Sequence, residues 1–437
     1  MSRPNIVFVF ADQMRAQTTG FNGARVQTPY MDKMAAEGVV FDTTISNVPV
    51  CTPWRAAFLS GQYPLSTGMF MNDVTMPTDR PTFGTVLRDA GYDTAYIGKW
   101  HLDGPDRSAY TPPGPRRQGF DFWAVGNCTH NYNESIYYHD SDEPKFWDGY
   151  DAADQTTLAV DYIGDRKKED PFALVLSWGP PHNPYRMLPD RYLDMYAPGD
   201  MDVRPNCTEP DYDDLTGYYA HVTALDDQLA RVGAALEEQG LMENTIFVFT
   251  SDHGDMLGSQ GVQRKQHPWD ESVVVPFVMR CPGQASVGHR VSTPFNVVDI
   301  MPTILGLAGI PIPDTCEGLD HTPAVQGDSF DGNDGSYIMS IAPFAEYRGQ
   351  PWRGVRTERY TYVRNLNGPW LLYDNQMDPY QLDNLIDKAK HADLQTEMDA
   401  MLERHMAERK DQLLPAQEFL DRFGYEIDEV GAVPYKM

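Results

Sequence analysis

Four short apolar runs in this chain are each followed, within a few residues, by a polar group able to do chemistry, and that coupling narrows the fold more than any other feature. The runs are 6–10, 94–97, 172–178 and 245–250, trailed in turn by Asp12-Gln13, by Lys99-Trp100-His101, by Pro180-Pro181-His182 and by Asp252-His253. A fifth run lies at 276–280. Between them fall helical patterns, one opened by Thr28-Pro29 and closed at Gly38, one at 82–91 and a long one within 213–240. Strand-like runs alternating with helices predict a mostly parallel sheet sandwiched by helices. In such open α/β sheets the ligand crevice lies beyond the carboxyl ends of the strands, so four groups far apart in sequence are expected to converge.

A chain of 437 residues has room for one large domain and a smaller one. The main domain is expected to end with a helix over 296–306, followed by a Gly, Asp and Asn connector at 327–335. Beyond it, 337–340, 352–358, 360–364 and 370–374 read as a small antiparallel sheet, with a helix over 389–409 packed on it. The expected division is a catalytic α/β domain at 1–330 and a small C-terminal α+β subdomain at 331–437.

The formal net charge of −28 repels nucleic acid and anionic membrane surfaces, so neither is an expected partner. The same field opposes an anionic substrate. A sulfate or phosphate site in this chain must therefore gather its own cations. Five cysteines without a CxxC pair argue against a disulfide framework and for a reducing compartment. With no signal peptide or membrane span visible, the expected location is cytoplasmic, and the sequon-like Asn127-Cys-Thr and Asn133-Glu-Ser are incidental.

Cys51-Thr-Pro-Trp-Arg55 precedes a helix-like stretch closed by Gly61, which sets Cys51 near a helix N-terminus with Pro53 in the first turn. Amides and the positive dipole end would face Cys51 and any anion beside it. By residue type alone such a cysteine reads as a small buried hydrophobe. Asp12, Gln13, Asp252 and His253 form a set of hard oxygens plus one imidazole, suited to Ca²⁺, Mg²⁺ or Mn²⁺ rather than to a thiolate zinc site. Each Asp taken singly also reads as a helix cap or turn former.

The Cys-x-Pro-x-Arg string resembles the signature of type I sulfatases of the alkaline phosphatase superfamily, whose cysteine is oxidised to formylglycine. The resemblance extends to Asp12-Gln13, Gly98-Lys-Trp-His101, Ser251-Asp-His-Gly254, and Lys265 six residues before Glu271. It also takes in Trp352-Arg-Gly-Val-Arg-Thr-Glu-Arg-Tyr360 and Tyr373-Asp-Asn-Gln-Met-Asp-Pro379. It implies an alkaline-phosphatase-like fold and hydrolysis of aryl or carbohydrate sulfate monoesters. It further implies a divalent metal, Ca²⁺ first with Mn²⁺ or Mg²⁺ as alternatives, held by Asp12, Gln13, Asp252, His253 and position 51. A formylglycine-generating enzyme would be the maturation partner.

The resemblance also implies a role for each of these residues. The hydrated aldehyde at position 51 is the nucleophile, stabilised by Arg55, and Lys99, Lys265 and Asn72 grip the sulfate. His182 is the leading general acid with Lys265 as competitor, and His101 takes the proton that releases sulfate. The alternatives are a phosphonate monoester hydrolase or phosphodiesterase of the same superfamily, and a catalytically silent relative if Cys51 stays unmodified. Lys99 and His101 favour sulfate, since the phosphonate-hydrolysing relatives tend to carry uncharged hydroxyl side chains there. Lys265, taken alone, also reads as a solvated surface lysine. His267 reads as structural, and His221 as a helix-surface or packing residue. The aromatic group at 131–139, with Trp54 and Trp100, reads equally as a sugar-pocket lining or as packing.

Overall fold

The computed structural model describes residues 3–167, 170–281, 283, 285, 287–332, 334–341 and 349–437. Eight strands form the central sheet: β1 (Asn5–Asp12), β2 (Val39–Phe41), β3 (Asp93–Lys99), β4 (Phe122–Gly126), β5 (Phe172–Pro181), β6 (Thr245–Ser251), β7 (Phe277–Arg280) and β8 (His289–Val291). Their spatial order is β8-β2-β7-β6-β1-β5-β3-β4. The pairs from β6 through β1, β5 and β3 to β4 are all parallel, whereas β7 runs antiparallel to both β6 and β2. The run at 276–280 thus enters the sheet against the direction of its neighbours. Three strands have no clear signal in the sequence: β2 and β8 are three residues each, too short for a period to register, and β4 carries a Trp and closes on Gly.

Both faces of β1 are buried. Ile6, Phe8 and Phe10 enter one core while Val7, Val9 and Ala11 enter the other, which is why the run is continuously apolar and not alternating. The first core is covered by α2 (Cys51–Ser60) and further along the chain by α6 (Val297–Leu307); the second by α1 (Pro29–Glu37), α4 (Asp151–Gly164) and α5 (Tyr212–Glu238). A short α3 (Phe83–Asp89), capped at Thr82, completes the first side. Cap chemistry explains the boundaries. Asp211 accepts from the amides of Asp213 and Asp214 to start α5, and Asn296 starts α6.

The later part of the chain forms an antiparallel sheet of β9 (Ser336–Ser340), β10 (Trp352–Arg356), β11 (Tyr360–Asn365) and β12 (Gly368–Asp374), in that order. Helix α7 (Ala392–Glu408) lies on β10 and β11, and α8 (Ala416–Phe423) follows it. Val355, Tyr362, Leu372 and Leu402 belong to the same continuous apolar cluster as Trp54 and Ile300, so this sheet is docked on the α2 side of the main sheet. No helix among the described residues is long and apolar enough to cross a membrane.

Candidate active site

Cys51 is the first residue of α2, directly after an extended Val50, and the helix stops at Gly61, whose φ of +64° admits glycine and few other residues. That helix aims its N-terminus at the carboxyl ends of β1, β3, β5 and β6. Asp12 is the last residue of β1, Lys99 the last of β3, and Asp252 follows β6 directly. Cys51 Sγ lies 3.2 Å from Lys265 Nζ, 3.4 Å from His253 Nε2, 3.6 Å from Asp12 Oδ1 and 3.9 Å from Lys99 Nζ. Burial and the Asp12 charge push its thiol up, yet Lys265, Lys99 and His253 outweigh them and hold it well below the usual range.

Beneath this cluster Arg55 acts as a clamp. Its Nη1 donates to Lys99 O and Ser177 Oγ, both at 2.7 Å, while Nη2 reaches Asp12 Oδ2 at 3.1 Å and Asp252 Oδ2 at 3.4 Å. One planar, fully buried cation therefore sets the spacing of two carboxylates and the end of β3. Lys99 Nζ donates to Asp12 Oδ2 at 2.7 Å. Burial would raise the Asp12 carboxyl, but the cations around it, Lys99 foremost with Lys265 and Arg55, hold it well below its ordinary value. Asp252 goes the other way: burial and the nearby Asp12 charge push it up to about 7. Even with these side chains around it, Asp252 is short of positive charge.

The donor set fits a hard divalent cation. Ligand atoms of Asp12, Cys51, Asp252 and His253 all lie within 4.8 Å of one another. His253 Nδ1 donates to Gly254 O at 2.9 Å, which turns Nε2 to Asp12 and Asp252, at 3.6 and 3.5 Å; burial opposes a charge on this ring but Asp252 favours a proton there, and a bound cation would take the Nε2 lone pair in its place. Gln13, held at φ +73°, donates from Nε2 to Asp255 Oδ2 at 2.7 Å, and its Oε1 is buried without a partner. An orphaned amide oxygen beside two acids and an imidazole lone pair is an acceptor-only set, the chemistry a cation satisfies.

A cavity of about 230 Å³ opens above Cys51, lined by Asn72, Asp73, His101, Arg107, His130, His182, Lys265 and, from residues far along the chain, Ala432, Val433 and Tyr435. Lys265 is buried here, not a solvated surface lysine, and its Nζ lies 2.9 Å from His182 Nε2. An ammonium has only donors, so Nε2 is the acceptor, and His182 Nδ1 donates to Asn183 O at 2.9 Å. Burial, Lys265 and His130 keep His182 well below the usual imidazole range, and it is neutral. His130 stacks flat on it, ring centroids 4.4 Å apart.

His101, at φ +56°, places Nε2 3.1 Å from Asp73 Oδ1, and Asp73 also receives Arg107. Burial opposes protonation of His101, but the Cys128 sulfur and Asp73 raise it to about 10. Asn72 accepts the Thr52 amide at 3.0 Å, so its Oδ1 braces the first turn of α2.

The structure thus brings Asp12, Cys51, Arg55, Lys99, His182, Asp252, His253 and Lys265 into one cluster, with Gln13 against its edge and Asn72 and His101 in the cavity wall. Asp73, Arg107, His130, Ser177 and Asp255 join the site without having stood out in the sequence. Asp73 adjoins Asn72 and Asp255 lies three residues past Asp252, but an acid in a turn is too common to signal by itself. Of the two readings of the aromatic group, packing holds for Trp54, Trp100 and Tyr132, which are fully buried and do not line the cavity. His221 is buried, not on the helix surface, and faces the Tyr150 hydroxyl at 2.9 Å.

A nucleophile-sized side chain at a helix N-terminus, flanked by paired acids, an imidazole and two lysines at the carboxyl ends of parallel strands, defines a hydrolase for tetrahedral oxyanion esters. Comparison with known proteins gives the family. The family described as Sulfatase matches residues 4–310, and the one described as N-sulphoglucosamine sulphohydrolase, C-terminal, matches 258–408. An ulvan-active sulfatase of Formosa agariphila is 41% identical over 99% of this chain and 87% of its own length. An endo-4-O-sulfatase of Bacteroides thetaiotaomicron is 31% identical over 91% of this chain and 92% of its own. A solved sulfatase structure from Bacteroides fragilis, 28% identical, superposes with a TM-score of 0.86 over 95% of this chain and 98% of that one. The chain belongs to the sulfatase family of the alkaline phosphatase superfamily and is a sulfuric ester hydrolase. A phosphonate monoester hydrolase of Agrobacterium radiobacter, 23% identical with a TM-score of 0.76, shares the fold.

Proposed function

We propose that this enzyme removes sulfate from carbohydrate sulfate monoesters, using formylglycine made from Cys51 and one divalent cation, Ca²⁺ in preference to Mg²⁺ or Mn²⁺. The observation that carries the reading is the position of Cys51 Sγ, within 3.9 Å of Lys99, Lys265, His253 and Asp12 at the base of the cavity. The relative named for its activity on ulvan supports the carbohydrate class. When present, formylglycine supplies a hydrated aldehyde as nucleophile and the cation supplies Lewis acidity at that spot. Asp12, Gln13, Asp252 and His253 would hold the cation.

The chain's own residues do the rest. Lys99 and Lys265 present ammonium groups where the three non-bridging sulfate oxygens gather charge, and Arg55 keeps the acids below them fixed, so the field needs little reorganisation. The proton for the departing alcohol is shared along the 2.9 Å Lys265 to His182 contact; it rests on Lys265 in the free protein, and His182 becomes its donor only after taking it at Nε2. His101 enters as a cation with Nε2 on Asp73, and its service as a base begins once that proton has left. Five free cysteines support maturation in a reducing compartment, with a formylglycine-generating enzyme as partner.

Mass spectrometry of the peptide spanning position 51, from protein produced with a formylglycine-generating enzyme, is expected to find the aldehyde, and Cys51→Ala is expected to remove nearly all turnover of an aryl sulfate. Full activity with an unmodified thiol would rule the nucleophile out. Exhaustive chelation is expected to abolish turnover, with Ca²⁺ restoring it; activity indifferent to chelation would rule out the cation. A preference for a matched phosphonate monoester or phosphodiester over the sulfate, read as kcat/KM, would overturn the substrate class.

A further inference from the structure

One wall of the cavity meets that chemistry only through Asp73. It is built where the stretch 432–436 lies along residues 105–107: Lys436 N donates to Pro105 O at 2.8 Å and Arg107 N donates to Lys436 O at 2.9 Å. This pairing lays the Arg107 guanidinium over the Tyr435 ring, 3.6 Å from its centroid. Nε and Nη2 of Arg107 both donate to Asp73 at 2.8 Å. Nη1 has no acceptor among the described residues and is not sealed from solvent, on a side chain that lines the cavity.

Charge points the same way. Asp73 is shared between His101 Nε2 and two nitrogens of Arg107, so its oxygens are taken and the Arg107 Nη1 edge is left uncommitted. Lys99 and Lys265 already face the sulfate position beside Cys51. Tyr435 is 44% exposed, so one ring face is taken by the guanidinium while other ring surface is open to an apolar sugar face. A planar guanidinium with a free edge beside an aromatic plate suits an oxyanion attached to a ring.

We propose that Arg107 and Tyr435 form a subsite for a second oxyanion on the alcohol part of the substrate, a carboxylate or a further sulfate on a sugar, so that the preferred substrates are polyanionic saccharides. This rests on the sulfatase reading and adds a specificity to it.

Calorimetry on the full-length Cys51→Ala protein in calcium buffer tests it without turnover, with four probes: a uronate-containing disaccharide monosulfate, its carboxyl methyl ester, a neutral disaccharide disulfate and the matching monosulfate. Within at least one pair the doubly anionic member is expected to bind about 10-fold tighter, as a charge-assisted hydrogen bond implies. Discrimination within the first pair assigns a carboxylate; within the second, a sulfate. Arg107→Gln is expected to erase the difference. Because that change leaves Asp73 short of a partner, Tyr435→Ala is the second variant, and it is expected to narrow the difference while the protein stays folded. Equal affinities within both pairs, no binding of any probe, or discrimination that survives both substitutions would overturn the subsite. Failure of the mature enzyme to turn over any sulfate ester would instead count against the sulfatase reading.

Discussion

Single residues here are tuned by what surrounds them more than by what they are. Asp12 and Asp252 are chemically identical and both fully buried, yet the cations facing Asp12 overcome burial and hold its carboxyl low, while Asp252, next to it, is driven up to about 7. Asp151, the first residue of α4, shows the effect without a catalytic role. Burial pushes it up to about 7, opposed by the Ser135 hydroxyl at 2.6 Å and the Ala152 amide, and its Oδ1 has no partner. A carboxyl raised in the folded state favours folding fully below its unfolded value of 3.8, and that contribution is lost as pH rises through about 7. Asp151→Asn keeps the Ser135 contact without the charge. It is expected to be more stable than wild type at pH 8 by a few kcal/mol, since each tenfold change in proton affinity is worth about 1.4 kcal/mol, and to lose that advantage near pH 4. Urea midpoints at the two pH values measure it, and an advantage that is equal at both would sink the argument. None of this was legible in the sequence, where Asp151 is one acid among 63 acidic residues. Asp12, Cys51, Lys99 and Asp252 were legible because each follows an apolar run or opens a helix, so that chain position alone delivers them to one sheet edge.

At the scale of elements, the carboxyl end of β3 carries tightly constrained backbone in the site. Gly98 sits at φ +104°, and a Cβ there would stand 2.1 Å from the carbonyl oxygen of Ser177 on the adjoining β5. The same strand end delivers Lys99, whose carbonyl accepts from Arg55, and Ser177 gives Arg55 its second acceptor. Gly98→Ala is therefore expected to cost about 2–5 kcal/mol, from backbone strain and a clash that neither strand can relieve. It should also lower kcat, because Lys99 moves with its strand. Gly91→Ala is the control: φ is +88°, but nothing lies within 4 Å of the added Cβ, so only the strain remains, about 1 kcal/mol. Thermal melts and aryl sulfate turnover of the two variants separate clash from strain, and equal losses would show that the close approach of β3 to β5 is not what fixes Lys99. The strands themselves were readable from their apolar runs, but the antiparallel direction of β7 was not, because direction is decided by how the chain returns to the sheet and not by composition.

Across the whole molecule, the C-terminal sheet does more than cover a hydrophobic face. Its contacts bracket the segment that carries Lys265: Trp352 Nε1 donates to Gln266 O at 3.2 Å, Arg356 holds Asp270 through two bonds at 3.0 and 2.9 Å, and Gln381 Oε1 accepts the Asp270 amide at 3.0 Å. Lys265 is thereby pinned from the far side of the chain, five residues before an acid that a β10 arginine neutralises. No residue pattern announces this grip, since nothing in a small antiparallel sheet tells which loop it will hold. Arg356→Leu would leave Asp270 buried with an amide for company and no opposing charge, a loss on the order of 3–5 kcal/mol. Replacing both partners, Arg356→Leu with Asp270→Leu, removes the stranded charge and is expected to recover most of the stability. Turnover should separate from stability. If the ion pair positions Lys265, kcat stays low in the double variant even where denaturant midpoints have returned towards wild type, because the segment has lost its anchor and not merely its charge balance. Full recovery of kcat in the double variant would assign the pair to stability alone and leave Lys265 positioned by His182 and its own loop.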